Sequence, residues 1–250
     1  MLFRSLDPPL PTRIEDVPGG QADVLWGRLH RFFALRTRVF DDFVLSWAAR
    51  GARQLVILGS GLDSRSLRLD LPSDCVVYEL DRPQVVAFKR RVLHDIAATP
   101  ATPTRFVGID LCAEWPDALC AAGFDPRQPT MWLAEGLFPY LSPADERRLL
   151  TTLDRLSAAG SGFCYESIPA HEPFGDRGVV YREIRSRLGL DIASLFNTED
   201  RENSVDVLRA AGWRGDQVSS IEHARRHRRP EAPDLFEAFH WTTVGKHGAQ

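Results

Sequence analysis

The sequence predicts an α/β protein: a mostly parallel sheet with helices on both faces and an antiparallel strand at the C-terminal end. Three observations carry that prediction. Five short β-rich runs, at 54–58, 75–80, 105–109, 130–135 and 161–166, are separated by segments that read as helices or loops. The runs are apolar throughout rather than alternating, as strands covered on both faces are. Length and composition agree, since 250 residues is a size that α/β folds reach as one unit, and 44% hydrophobic with 26% charged residues supplies a sizeable core.

Taken in order, residues 1–20 hold four prolines and end in Gly19-Gly20, which predicts a loose arm ahead of a single domain over 21–250. From Val24 to Trp47 the apolar residues Leu25, Leu29, Phe32, Phe33, Val39, Phe40, Phe43 and Val44 recur at three- and four-residue steps. That period predicts one or two helices, with Gly51 placed as a C-cap. Between the strands, Pro83 suits the first turn of a helix running to about His94. Ser142, with Pro143 next and Asp145 three residues on, marks the N-cap of a helix to Ala158. Helices near 178–189 and 199–211, a short strand at 217–220 and a final strand over 235–245 complete the order. An insertion over about 168–200 is expected to face the substrate.

Charge and cysteines narrow the function classes. Against 34 acidic residues stand 31 basic ones, of which only Lys89 and Lys246 are lysines, so the net charge is −3 and no nucleic-acid partner is indicated. Cys75, Cys112, Cys120 and Cys164 form no C-x-x-C pair, so neither a zinc ribbon nor a disulfide framework is expected. No apolar run approaches the roughly 18 residues of a membrane span, and the start has no signal-peptide core, which predicts a cytoplasmic protein with no membrane partner. His223 and His227 have metal-ligand spacing but sit among Arg225, Arg226, Arg228 and Arg229. A solvated loop and no metal site are expected there.

The sharpest chemical signal is the strand Leu55–Leu58 running into Gly59-Ser60-Gly61. Glycines at such a turn let the backbone approach a ligand, although Gly-x-Gly alone also describes a plain tight turn. Twenty residues past Gly61, Asp81 closes the second strand, where an acid accepts hydrogen bonds from two ribose hydroxyls. Together they predict a nucleoside cofactor. A dinucleotide fingerprint wants a small third residue, yet Ser64 stands there and Asp63 would repel a diphosphate. S-adenosyl-L-methionine has no phosphate and carries an ammonium, which suits Asp63 better.

The run Arg36-Thr37-Arg38-Val39-Phe40-Asp41-Asp42, then VILGSGLDSRSLRL, VYELDRP, GIDL at 108–111 and WLAEGLFPYLS at 132–142, resembles the leucine carboxyl methyltransferase family of class I methyltransferases, including actinobacterial members. The likeness runs in order from about residue 28 to 160. It implies a Rossmann-like sheet, S-adenosyl-L-methionine as cofactor and S-adenosyl-L-homocysteine as product. By the resemblance Arg36 holds the methionyl carboxylate, Gly59, Ser60, Gly61 and Asp63 form the turn under the cofactor, and Asp81 with Arg82 lies at the ribose. Asp110 and Leu111 meet adenine, while Glu135 and Gly136 lie near the amino-acid end. Fuller members have a longer N-terminal region with a cofactor contact and part of a lid, which has no clear counterpart here.

Plainer readings stand beside these. Without the family, Arg36 is a solvated charge or a partner of Asp41, and Asp110 caps the turn that follows it. Glu135 would be buried unless paired or ligand-facing. Arg65 and Arg68 are expected to lock the first loop by pairing with carboxylates, and Tyr140 to pack over the pocket or in the core.

The function expected is an S-adenosyl-L-methionine-dependent O-methyltransferase acting on a carboxylate or hydroxyl of a small molecule or peptide, with natural-product biosynthesis as one setting. Two rivals are a noncatalytic cofactor-binding subunit and an NAD-dependent oxidoreductase. A carboxylate acceptor needs no general base, whereas an alcohol does. Glu166, His171 and His30 are candidates, but no motif supports any of them, so no catalytic residue is assigned. Ile168 to Phe174 is expected to select the acceptor, and the oligomeric state is left open.

Overall fold

The computed structural model describes residues 13–168, 178–228 and 239–248. Ahead of the sheet stands α1 (Trp26–Ala49), one helix of 24 residues. Its buried side chains Phe32, Leu35, Val39, Phe40, Phe43 and Val44 follow the three-and-four spacing read from the sequence. Gly51, at φ 103°, turns the chain out of the helix where a side chain would strain it. Of the arm over 1–20, residues 1–12 lie outside the described part. Residues 13–20 make short 3-10 turns and bury Ile14 and Val17.

The sheet then assembles from β1 (Gln54–Leu58), β2 (Val76–Asp81), β3 (Thr104–Gly108), β4 (Thr130–Ala134) and β5 (Gly162–Ser167). Between and after them come α2 (Arg65–Arg68), α3 (Pro83–Asp95), α4 (Trp115–Ala121), α5 (Pro143–Arg155), α6 (Gly178–Leu188) and α7 (Ser204–Ala210). The chain ends with β6 (Trp213–Ser219), α8 (Ser220–Arg226) and β7 (His240–Lys246). The order across the sheet is β3-β2-β1-β4-β5-β7-β6. β1 to β5 pair in parallel, and β7 runs antiparallel to both β5 and β6. The order therefore reverses between β1 and β4, which leaves a crevice at the carboxyl ends of these strands.

Several expectations shift. The residues 217–220 belong to a longer strand that begins at Trp213. α7 starts at Ser204 rather than 199, because the Asn203 side chain accepts from the Val205 N–H at 3.1 Å and caps it there. The segment around His223, read as a solvated loop, is the helix α8, capped by Ser219 accepting from Glu222 N–H at 3.2 Å. His223 packs inward, its ring 5.2 Å from Trp241 of β7. The expected final strand begins at His240, and 235–238 lie outside the described residues. So do 169–177 of the expected substrate segment, His171 included.

Two apolar cores lie on the two faces of the sheet. Leu55, Ile57, Val77, Met131, Leu133 and Cys164 face α1, while Val56, Leu58, Tyr78, Leu80, Trp132 and Tyr165 face α5 and its neighbours. The alternation is the period of two that a strand imposes. Burying one large apolar side chain contributes about 1.5–3 kcal/mol, so each face is held by several such groups. At Gly162 a Cβ would collide with the Trp47 indole, which fixes glycine where α1 crosses β5.

Candidate functional site

The strand period decides which acids share a face. Since Val77, Leu133 and Cys164 point toward α1, the residues two further on, Glu79, Glu135 and Glu166, point that way as well. The register pairs Ala134 with Tyr165, so Glu135 and Glu166 follow side by side at the ends of β4 and β5. Two adjacent carboxylates need a cation between them. Arg36 of α1 supplies it: Nη1 donates to Glu166 Oε1 at 2.9 Å, and Nε lies 3.0 Å from Glu135 Oε1. The Nε–H is not aimed at that oxygen, however, and is a buried donor without a hydrogen bond. Arg36 also lies over the rings of Phe32 and Phe33.

A second arginine extends the array. Arg65, 3% exposed, donates from Nη2 to Glu135 Oε2 at 2.8 Å and from Nε to Asp41 Oδ1 at 2.9 Å, and its remaining nitrogen pairs with Asp63. Arg68 closes on Asp41 from outside. Both arginines thus lock the first loop as expected, and Asp41 belongs to them rather than to Arg36. Burial works against the charge of Arg36, but Glu166 and Glu135 outweigh it and hold its pKa above the ordinary value. Burial raises the pKa of Glu166, and Arg36 and the Trp241 Nε1–H, 2.9 Å from Oε2, offset part of that rise.

Over this array lies a cavity of about 300 Å³, walled by Leu29, Phe32, Phe33, Tyr181, Ile184 and Phe196, with Arg36, Glu135, Gly136 and Glu166 at its polar end. Tyr140 stands on its rim, 45% exposed, with its ring 5.3 Å from Phe196. Gly136, at φ 63°, leaves the polar end open. A Cβ there would stand 3.8 Å from Arg36 Nη1 and 3.9 Å from Glu166 Oε1.

The turn after β1 lies at the same end of the sheet. The Ser60 N–H donates to Leu80 O at 2.9 Å, and the Gly61 N–H to Asp81 Oδ2 at 2.7 Å. Asp81 Oδ1 accepts from the Arg82 N–H, so each of its oxygens keeps a lone pair for a hydroxyl. Gly61, at φ 48°, has nothing within 4 Å of where a Cβ would stand, and the space over the turn is open to a ligand. Gly59 is tighter, since a Cβ would come 3.2 Å from Leu137, which joins this turn to the end of β4. Ile109 N–H donates to Asp81 O at 2.8 Å and brings Asp110 and Leu111 to the same edge. Asp110 itself accepts from the Cys112 N–H at 2.8 Å, the capping bond of the plainer reading, while staying exposed.

Three sequence-based expectations need adjustment. Asp63 does not face the open turn: its carboxylate is spent on Arg65 and its carbonyl accepts from Lys89, so neither the repulsion of a diphosphate nor a contact with an ammonium can be rested on it. Arg82 contributes its backbone N–H to Asp81, while its side chain is exposed beyond the strand end. Glu135 is paired rather than held free for a ligand. Glu79, the other acid of β2, is buried against Lys89 and the Ser66 hydroxyl and lies below the crevice. Of the base candidates among the described residues, Glu166 lines the cavity and His30 is exposed elsewhere on α1, while His171 lies outside the described residues. The aromatic wall and the Trp241 contact were not read from the sequence as site features. The only available signal was that these residues are large and apolar, which the core also requires.

The crevice thus brings together a glycine turn with open space, an acid at the second strand end and Arg36 at the polar end of a cavity. Residues 9–154 match the family model of leucine carboxyl methyltransferase, starting earlier than the motifs themselves do. A Streptomyces coelicolor protein, provisionally named an S-adenosyl-L-methionine-dependent methyltransferase, is 45% identical over 236 residues, covering 92% of this chain and 78% of that one. A Mycobacterium marinum protein with the same provisional name is 42% identical over 226 residues, 89% of this chain and 73% of its own. Against other mycobacterial relatives the chain spans less, 65% and 61% of their length. A Thermobifida fusca protein, crystallised under a provisional methyltransferase name, superposes with a TM-score of 0.56 over 91% of this chain and 87% of its own, at 19% identity, a likeness of fold. Among the described residues no helix is long and apolar enough to cross a membrane, and no three His, Cys, Asp or Glu side chains gather to hold a metal ion. Match, relatives and fold converge: the chain belongs to the leucine carboxyl methyltransferase family of S-adenosyl-L-methionine-dependent methyltransferases.

Proposed function

We propose that the protein transfers a methyl group from S-adenosyl-L-methionine to an oxygen of a small molecule or short peptide end held in the cavity between α1, α6 and the ends of β4 and β5. The observation that carries this reading is that Arg36 and Gly136 bound the cavity, while Leu137 next along the chain packs on the Gly59 turn. A methyl donor and an acceptor would therefore lie in adjoining spaces. In this reading Asp81 accepts from the ribose, and Gly59, Ser60 and Gly61 supply a turn without side-chain obstruction. Asp110 and Leu111 sit at the adenine, and Arg36, whose Nε–H makes no hydrogen bond, receives the methionyl carboxylate with Glu135 and Gly136 beside it. Arg82 frames the ribose through its backbone, and Asp63 acts at one remove by fixing Arg65.

The donor supplies an already activated methyl group. What the chain must do is orient an oxygen toward it and exclude water, a positional effect that can dominate such a transfer. The aromatic wall suits an acceptor with an apolar body, as natural-product intermediates have.

The test is ligand-induced stabilisation. S-adenosyl-L-homocysteine should raise the melting temperature, by about 2.7 kcal/mol of stability at a hundredfold excess over Kd, and NAD should not. Arg36→Gln should weaken S-adenosyl-L-homocysteine much more than adenosine, which has no carboxylate. A shift with NAD and none with S-adenosyl-L-homocysteine would overturn the reading.

A further inference from the structure

We infer that Arg201 is a positioning residue for the methyl acceptor: without lining the cavity, it holds two of its walls, Tyr140 and Phe196, at a fixed spacing and so sets what the cavity admits. The inference rests on the reading above that this cavity takes the acceptor, and it adds a residue from outside the site.

The two walls come from separate connecting stretches. Pro139 and Tyr140 belong to the 3-10 turn Phe138–Tyr140 after β4, and Phe196 follows the 3-10 turn Ile192–Leu195 beyond α6. The rings of Tyr140 and Phe196 meet at 5.3 Å, and the Asn197 N–H donates to Pro139 O at 2.8 Å. Away from regular ladders, such stretches keep one shape only where their carbonyls find other donors.

Arg201 supplies those donors. Its side chain is 11% exposed. Nη1 donates to Phe138 O at 3.2 Å, while Nη2 donates to Leu141 O at 3.2 Å, to Asn197 O at 3.1 Å and to Asn197 Oδ1 at 2.9 Å. The carbonyls on either side of Pro139 and Tyr140, and the one after Phe196, are thus gathered on one planar group. Glu146 of α5, 4% exposed, holds that group from behind. Its Oε2 accepts from Arg201 Nη1 at 2.8 Å, and its Oε1 from the Ser204 hydroxyl at the start of α7. Phe138 also packs on Tyr165, with ring centroids 4.9 Å apart, which fixes the turn to β5.

The task suits arginine and no other side chain. A guanidinium presents its donors in a rigid fork, whereas an ammonium donates from one point. A lysine here would keep the charge opposite Glu146 but lose the carbonyls on the two sides. The clasp also lies away from the cofactor turn, which has its own bonds from Ser60 N–H to Leu80 O and from Gly61 N–H to Asp81.

The experiment uses the full chain carrying 3-fluorotyrosine at its four tyrosines, Tyr78, Tyr140, Tyr165 and Tyr181, and loaded with S-adenosyl-L-homocysteine. In fluorine NMR, Tyr140→Phe and Tyr181→Phe assign the two cavity signals. Phe196→Leu gives the part of the Tyr140 shift that comes from its neighbour's ring. In Arg201→Gln, Tyr140 should lose most of that part while Tyr78 stays in place, and S-adenosyl-L-homocysteine should bind within about threefold of the wild type. Toluene, a neutral probe of apolar space, should move the Tyr181 signal of the wild type and bind at least about fivefold more weakly in the variant, because its walls are no longer preorganised. Arg201→Lys should resemble Arg201→Gln in both readouts, whereas a role confined to the ion pair with Glu146 would be restored by lysine. If Arg201→Gln does not fold, Arg201→Lys carries the same test. An unmoved Tyr140 signal, an unchanged toluene affinity, full rescue by lysine or no toluene binding to the wild type would overturn the inference and leave the methyltransferase reading standing. Failure of S-adenosyl-L-homocysteine to bind the wild type would remove that reading, while the Tyr140 signal would still show whether Arg201 holds the walls.

Discussion

The two halves of the crevice are built by different means. Beside β1, β2 and β3 the surface is backbone: Gly61 N–H meets Asp81 only 20 residues away, and Ser60 and Ile109 tie the strand ends through main-chain bonds. Beside β4, β5 and β7 it is side chains brought from far apart. Arg36 and Glu166 are 130 residues apart in the chain, and Glu166 and Trp241 are 75 apart. A site made from a local turn is written in a local pattern, whereas a site made from distant side chains exists only once the sheet order and register are in place. The first half is suited to a ligand common to many proteins. In the proposed reading the second takes the acceptor and is free to vary with it.

Arg65 spans this division, so its removal should have the largest effect. It links Asp41 on α1, Asp63 of the β1 turn and Glu135 at the end of β4 while almost wholly buried. Arg65→Ala leaves Asp63 without its cation and takes one of two cationic partners from Asp41 and Glu135, and breaking a buried pair in this way costs about 3–5 kcal/mol. Urea unfolding should show that loss, together with weaker binding of S-adenosyl-L-homocysteine. A loss below about 1 kcal/mol, the scale of an exposed ion pair, would mean that the halves are held together by packing alone.

The next effect separates structure from ligand within the first half. Glu79 and Asp81 lie on one strand, two residues apart, and a local pattern cannot say which of them is buried. Glu79 is fully buried with Lys89, whereas Asp81 sits at the open end on two backbone N–H groups. Glu79→Gln should therefore lower unliganded stability by several kcal/mol. Asp81→Asn should change it little, yet weaken S-adenosyl-L-homocysteine by about 1.5–3 kcal/mol, the scale of a hydrogen bond to a charged group. If the two variants exchange these effects, the ribose contact lies deeper in the strand than proposed.

The same contrast explains what could be read from the chain. Strand positions, the α1 face, the Ser142 cap and the glycine turn are legible because each is a pattern within a few residues. Glu166 was visible only as one of three candidate bases, for nothing near it in sequence announces that Arg36 and Trp241 will hold it. Asp63 misled for the same reason: beside Gly61 it looks ligand-facing, and only the fold shows Arg65 of the next turn drawing its carboxylate inward. The helix α8 was hidden by its arginines, which look like a solvated run although Ala224 and the His223 ring turn toward β7.

The smallest expected effect tests that last region, which backs the second half of the crevice. His223 Nε2 is buried without a hydrogen bond, and its ring lies against Trp241, the same residue that holds Glu166. Burial, with smaller contributions from Arg226 and His227, lowers the imidazole pKa from 6.5 to about 4, while a backbone hydrogen bond at Trp241 and the charge of Glu222 oppose the shift. The unfolded chain therefore takes up this proton at a higher pH than the folded one. Its contribution to stability is complete above pH 6.5 and is lost as the pH falls toward 4. Glu79, Glu146 and Glu166, with pKa values raised by burial, act in the opposite sense, since the folded state holds their protons more readily as the pH falls. The wild-type curve mixes both, so the quantity to measure is the wild type against His223→Phe, which keeps a ring on Trp241 but cannot titrate. Between pH 7 and 4 the melting temperature of the wild type should fall relative to the variant by a few degrees, as expected for a loss of about 1–2 kcal/mol in a chain of this size. Parallel curves would mean that the imidazole reaches solvent and that α8 does not seal the back of the acceptor half. The packing of Trp241 behind Glu166 would then have to be sought in α1 alone.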